Sequence, residues 1–461
     1  MKRKILNYNN FILLLYLFLA LITIYYHEQW YDEAQAWAIA ENLSIGGIFK
    51  FMPYEGHSCL FYIYLKFLIL LGISYRSANY FNIIFGLIGT ILFLYKSPFN
   101  KLINTLFILS PAFIYCCPIF LRPYIFSLFF FILICILYKD RYKHPYIFGI
   151  ILFLFINTHI LTIIFIGSLM LYEIYEYFFK KKEYFKERMI IGIFASLGVL
   201  FFAIQLLGAF SKRPDILREH GNLLDSFYFF SNIFKGLFIN NIIMFIIVFI
   251  LLFLLLKKMF VNKKIRFIFL FNTICYILFS SLIYPLYDNK VIYIVIYILF
   301  CFWLYYEEDK KECNRLVIWL LLLSCINSFN MISKDIFNDY SYTKKAAEYF
   351  LNDDRDNVKI ASYSDFVDIR VLLDDRYKLI NILNDEEYTY YNHLDDFSRV
   401  NDDLKEYLID RNIDYVITSS IDTLNTDKIN DLVEEEFLTE ELVIESTDCG
   451  ILVIYKVNNV L

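Results

Sequence analysis

The stretch "YNNFILLLYLFLALITIYY", residues 8–26, holds no charged side chain and follows the basic head "MKRK". At about 1.5 Å per helical residue it is long enough to cross ~30 Å of hydrocarbon. It is longer than the apolar core of a secretory signal peptide, and the following "HEQWYDE" offers no small-residue cleavage site. It is therefore an uncleaved anchor by its pattern, with the N-terminus expected in the cytoplasm. Ten more apolar runs follow, near 78–95, 102–118, 124–138, 146–158, 160–179, 189–208, 241–256, 265–284, 291–306 and 315–332. A chain of 461 residues that is 59% hydrophobic carries more apolar surface than a soluble domain can bury, so the class is polytopic membrane protein. The composition argues against a nucleic-acid binder, because Lys and Arg sit in short clusters between the runs while acids gather in the last third.

One further run, "SCLFYIYLKFLILLGIS" (58–74), is short and contains Lys66. The positive-inside rule decides its treatment. If it does not cross, the basic loops "KSPFNK", "YKDRYKH", "KKKEYFKER", "KKMFVNKK" and "EEDKKECNR" all share the cytoplasmic side. If it crosses, all of them flip outward. Residues 58–74 are therefore expected to form a re-entrant or interfacial helix, leaving eleven spans. Residues 27–77, the loop 208–240 and everything after about 333 then face outward.

The spans end near residue 332, and the character changes. "TKKAAEYFL" has helical apolar spacing, while "VKIASYS", "DYVITSS", "ELVIES" and "GILVIYKV" read as short strands. The expectation is a transmembrane domain over 1–332 and an extracytoplasmic α/β domain over 333–461, large enough to bury its own core. That last part carries no Gly-rich phosphate loop, no HExxH and no Ser-centred elbow. Nine cysteines are present, most inside apolar runs, without metal-ligand spacing, and they read as small hydrophobes.

The segment "EQWYDEAQAWAIAENL" (28–43) places two adjacent acids, Asp32 and Glu33, where the first span ends. Acids at a helix start cap free N–H groups and suit the helix dipole, which is a sufficient structural reason for them. Ionisable groups at a membrane boundary beside an embedded cavity also mark function. A second polar cluster, "PYEGHSCL" (53–60), adds Glu55 and His57 to the same loop.

"DEAQAW" followed by "YEGH", with "LRPYIFSL" (121–128) and "NTHILTI" (157–163) later, resembles the GT-C superfamily of integral-membrane glycosyltransferases. The likeness is to its aminoarabinose-transferase and protein-mannosyltransferase branch and to bacterial relatives with the same pattern. It covers about residues 1–180, fades over 200–330, and reaches the last domain by position only. The resemblance implies inverting transfer of a sugar from a polyprenyl-phosphate donor to an envelope glycan, glycolipid or protein on the outer face. It implies Asp32 as general base, with Glu33 as its partner or as a group orienting the acceptor. Glu55 would belong to an acceptor or metal site, with His57 and His159 as further ligands. Gly56 stands where that branch has a lysine, which weakens the case for a cation there. No cofactor is required by this reading, and a divalent metal ion remains an option. The leaving lipid phosphate needs cations, and Arg122, Lys212, Arg213 and Arg218 are the outer candidates; the last three lie in "SKRPDILREH" (211–220), a basic stretch on the acid-favoured side.

Competing classes are a transporter, which calls for repeated halves and polar midplane residues, a scaffold or sensor role for the outer domain, and a polysaccharide polymerase or ligase. The charged residues inside runs are few, Lys66, Glu173 and Glu176, and the acids collect at one interface. That distribution fits surface chemistry on membrane lipids better than transport.

Overall fold

The computed structural model describes residues 8–180, 182–208, 225–284, 286, 290–308, 313–338, 341–364, 366–391, 403–420, 426–446 and 450–458. Contacts divide the chain into two compact units, one of Met1–Tyr25, Gly46–Phe61 and Asn79–Ile332, the other of Tyr26–Ile45, Tyr62–Ala78 and Ser333–Leu461.

The first unit is helical. It contains α1 (Tyr8–Tyr26), α3 (Ile45–Glu55), the bulk of α5 (Tyr75–Lys96), α6 (Lys101–Ile108), α7 (Tyr124–Tyr138), α8 (Pro145–Ile156), α9 (Leu161–Phe179) and α10 (Phe185–Gln205). It continues with α11 (Asp225–Leu237), α12 (Ile242–Met259), α13 (Lys263–Leu282), α14 (Ile292–Glu307) and most of α15 (Asn314–Phe337). Each of the eleven apolar runs has its helical counterpart. Among the described residues, seven of these helices are long and apolar enough to cross a membrane. Helices α7, α8 and α14 are shorter apolar pieces, and run 102–118 is split into α6 and a single π-helical turn, Ala112–Cys116. Pro111 stands at that break; it lacks an N–H and cannot continue the ladder of α6.

Along α12, Ile243, Phe249 and Phe253 are among many exposed large apolar side chains. An unbroken apolar surface of that kind belongs against lipid rather than water. Between α8 and α10, a Cβ on Gly198 would lie 3.2 Å from the Phe153 Cα, so glycine lets the two backbones approach closely. The acids inside the spans are neutralised locally: Glu173 is 2.7 Å from Arg141 Nη2 and 2.5 Å from Arg188 Nη1, and Glu176 is 3.1 Å from Arg188 Nη2. They are paired structural charges. Eight described cysteines are free thiols, seven of them buried among apolar side chains.

The second unit is an α/β domain. Its mixed six-stranded sheet has the order β3-β2-β1-β4-β6-β5, formed by β1 (Val358–Ser362), β2 (Tyr377–Asn381), β3 (Glu386–Glu387), β4 (Tyr415–Ser419), β5 (Leu438–Ser446) and β6 (Gly450–Val457). Strand β1 pairs parallel with β2 and β4, and the remaining pairs are antiparallel. Helices α16 (Thr343–Leu351), α17 (Val367–Arg370), α18 (Leu404–Asp410) and α19 (Thr426–Glu434) accompany the sheet. Ala361, Val416, Leu408, Ile429 and Phe437 form one buried cluster.

Two pieces from early in the sequence belong to this unit. Helix α2 (Tyr31–Asn42) packs against α17, and α4 (Leu60–Leu70) lies with it. At eleven residues, α4 is about 16 Å long and, like α7, α8 and α14, is one of the shorter apolar helices. Lys66 on α4 donates to the Glu41 carbonyl at 3.1 Å, a surface contact.

Candidate functional site

In the α/β unit the first polar group after α1 is His27. Its Nε2 lies 3.1 Å from Glu33 Oε2 and its Nδ1 3.1 Å from Asp335 Oδ2. The three side chains are 2%, 0% and 3% exposed. Burial alone would depress the imidazole, but Glu33 and Asp335 outweigh it and hold His27 up at about 10. His27 is thus an imidazolium clamped between two carboxylates. Glu33 also accepts the Trp30 backbone N–H at 3.1 Å, closing the first turn of α2.

Successive helical residues differ by about 100° in direction, so Asp32 and Glu33 leave α2 on different faces. Glu33 is wholly buried, while Asp32 in the same turn is half-buried. Farther along α2, Gln35 donates to the Tyr391 carbonyl at 2.9 Å and accepts its N–H at 2.8 Å. Trp37 packs on Tyr75 with ring centres 5.8 Å apart, and Gln29 donates to the Tyr75 carbonyl at 3.0 Å. Every residue from Glu33 to Ala40 is buried. The Ala-rich, Trp-bearing sequence makes a helix thin enough to lie deep inside the unit.

The helical unit gathers the other residues singled out from the sequence. Glu55 is the last residue of α3 and half-buried. Gly56 follows with φ +69°, and its N–H reaches the Met52 carbonyl at 3.0 Å. This is a left-handed helix terminus that favours glycine, which gives a conformational reason for Gly56 at this position. The chain then turns into His57, Ser58 and Cys59. Gln205 holds that segment by accepting from the Cys59 N–H at 2.7 Å and from Ser58 Oγ at 3.2 Å, and it donates to Asn157 Oδ1 at 3.2 Å.

Arg122, 5% exposed, has Nη2 3.1 Å from His57 Nε2. A guanidinium can only donate, so Nε2 is the accepting nitrogen and neutral His57 carries its proton on Nδ1. The rings of His57 and His159 are 5.3 Å apart, and His159 stacks on Tyr293 at 4.4 Å. His159 Nδ1 accepts the Leu161 backbone N–H at 3.2 Å, so its proton sits on Nε2. Among the described residues, both remaining nitrogens, His57 Nδ1 and His159 Nε2, are buried without a hydrogen-bond partner. Burial, followed by the charge of Arg122 and Lys290, keeps His57 well below the usual histidine range. His159 is lowered by burial and by His57, Lys290 and Arg122. Lys212, Arg213 and Arg218 lie outside the described residues. Among the described residues no group of three or more His, Cys, Asp or Glu could hold a metal ion.

Sequence reasoning had singled out Asp32, Glu33, Glu55, His57, Arg122 and His159. It missed His27, Asp335 and Tyr293: His27 lies six residues from Glu33, but its other partner Asp335 is 308 residues away, and Tyr293 is likewise remote from His159 in sequence.

No family model matches the sequence, and no curated protein matches it. A solved structure does: that of ArnT from Cupriavidus metallidurans bound to undecaprenyl phosphate. It aligns with a TM-score of 0.56 over 97% of this chain and 98% of that one, at 9% identity. The chain shares the fold of that structure. The match runs nearly end to end, and so includes the part over 200–330 where the sequence resemblance fades.

Proposed function

We propose that the chain transfers a sugar from a polyprenyl-phosphate donor to an acceptor hydroxyl in the cell envelope, with inversion at the anomeric carbon. The observation that carries this reading is the end-to-end likeness of fold to a structure holding undecaprenyl phosphate. The burial pattern of α2 supports it, since Glu33 is consumed in a structural clamp while Asp32 in the same turn is left half-buried.

In this reaction the acceptor oxygen attacks the anomeric carbon and the bond from that carbon to the phosphate oxygen breaks. The acceptor proton passes to the Asp32 carboxylate. Polyprenyl phosphate leaves with the bonding pair, and the charge that develops on it calls for fixed cations. Arg122 is the described candidate, held nearly sealed from water, where a guanidinium acts more strongly than at the surface. Glu33 serves as the partner that sets the first turn of α2. The acceptor, an envelope glycan, glycolipid or protein, lies on the outer side of the membrane in this reading, as does the α/β unit.

The test compares glycolipid and envelope-sugar profiles of cells carrying wild type, Asp32→Asn and a deletion. Asp32→Asn keeps shape and the helix start but removes the base, and loss of a general base typically lowers rate by about 10²–10⁴-fold. A normally inserted Asp32→Asn protein should give the deletion profile, and the missing species then names the product. A wild-type profile from Asp32→Asn overturns the assignment.

A further inference from the structure

We propose that His57 and His159 form a pair of neutral N–H donors that, with the Arg122 guanidinium, binds an oxyanion of the phosphate class and does not ligate a metal. Only the source of that phosphate, a lipid headgroup, rests on the reaction proposed above.

The argument begins with the two hydrogen bonds that assign the tautomers. Arg122 donates to His57 Nε2, and the Leu161 amide donates to His159 Nδ1. Each ring therefore presents its N–H, not its lone pair, at the other nitrogen. A metal ion needs a lone pair at the ligating atom. His57 Nδ1 and His159 Nε2 are the atoms a metal would have to use, and both are protonated. For Zn²⁺ or a similar ion to bind, each ring would have to give up its present hydrogen bond or its proton. The neighbouring Arg122 and Lys290 charges also repel a divalent cation while attracting an anion. The divalent-ion option raised by the sequence therefore does not fit these residues.

The same two atoms need an acceptor. A buried donor left without one is costly, and two of them 5.3 Å apart ring to ring is an arrangement that packing alone does not favour. Packing does account for where the His159 ring lies: it stacks on Tyr293, whose hydroxyl is 3.3 Å from Ser127 Oγ, which in turn donates to Thr158 at 2.7 Å. It leaves the Nε2 proton unused. An oxyanion accepts N–H groups at about 2.9 Å, and a tetrahedral phosphate has enough oxygens to accept from both rings and from the guanidinium. Ser58 and Cys59 hold the His57 loop against Gln205, so the donors are set in place before any ligand arrives. Recognition of phosphate by neutral imidazoles beside one guanidinium also suits a chain with Gly56 where the resembling branch carries a lysine.

The test uses the full chain in lipid nanodiscs, titrated separately with undecaprenyl phosphate, inorganic phosphate and Zn²⁺. His57→Phe and His159→Phe remove the donors and keep the ring. His57→Asn and His159→Gln return an N–H close to the lost position. Each Phe variant should weaken phosphate binding about tenfold or more, and each amide variant should regain most of it. Binding of the lipid alone assigns the lipid source; equal binding of inorganic phosphate supports the site with a free anion as its ligand. The proposal is overturned if neither phosphate binds, if the Phe variants bind like wild type, or if wild type binds Zn²⁺ and the Phe variants lose it. Should the Phe variants fail to fold, ring ¹⁵N shifts of the labelled wild type decide. His57 protonated on Nδ1 alone and His159 on Nε2 alone is expected, and the opposite tautomers overturn the donor pair. None of these measurements needs turnover. Binding without any transfer product sinks the enzyme reading alone, and transfer with unaltered Phe variants sinks the donor pair alone.

Discussion

The Nε2 of His27 lies 3.1 Å from Oε2 of Glu33, and both side chains are almost sealed from solvent. With Asp335 on the opposite nitrogen, this ties the chain just after α1, the first turn of α2 and the end of α15. The two carboxylates hold the folded imidazole up at about 10, above the ordinary histidine value near 6.5. A raised pKa contributes stability that is fully present below about 6.5 and is lost as pH rises through about 10. The contribution is on the order of a few kcal/mol. Thermal unfolding followed from pH 7 to 10.5 should therefore show wild type losing several degrees relative to His27→Gln. Parallel curves for the two proteins over that range would remove the charged clamp.

Glu33 and its neighbour Asp32 should separate stability from activity. Glu33→Ala leaves the buried His27 with one carboxylate fewer and opens the Trp30 N–H, and breaking a buried pair costs about 3–5 kcal/mol. Asp32→Asn, at a half-buried position in the same turn, should change the unfolding midpoint little while abolishing product. Equal midpoint losses in the two variants would contradict the division of labour between the two acids.

Gln35 and Tyr391 exchange two hydrogen bonds of 2.9 and 2.8 Å across 356 residues of sequence. A leucine of similar volume at position 35 removes both of these hydrogen bonds from the Tyr391 backbone, each worth about 0.5–1.5 kcal/mol. Hydrogen exchange at the Tyr391 amide should accelerate strongly in Gln35→Leu, while amides of β4 and β6 keep their protection. Slow exchange at Tyr391 in the variant would mean that another group holds it.

The spans were legible because apolar runs and basic loops are local signals, and each run has a helix in its place. The split of run 102–118 had its cue in Pro111. Strand β2, "YKLIN", was not read, since five residues flanked by "DDR" and "NDEE" offer little alternation on their own. Asp32 and Glu33 were visible as a pair. Their inequality was not, because Glu33 is taken up by His27 in a clamp completed by Asp335, 308 residues beyond His27. The same holds for His57 and His159. They were expected only as possible metal ligands beside Glu55, and which nitrogen each ring offers follows only from Arg122 and the Leu161 amide.

The inside–outside arrangement rests on basic loops, and single cysteines can test it. Described native thiols are mostly buried, so the labelling background is low. Lys143 in the loop after α7 and Lys378 on β2 have side chains 74% and 47% exposed. With the basic loops cytoplasmic, an impermeant thiol reagent added to intact cells should label Lys378→Cys. Lys143→Cys should react only after the membrane is opened. Labelling of Lys143→Cys from outside would invert every loop. It would then place the α/β unit, with Asp32 on its α2 helix, in the cytoplasm, and an outward-facing transfer reaction could not stand.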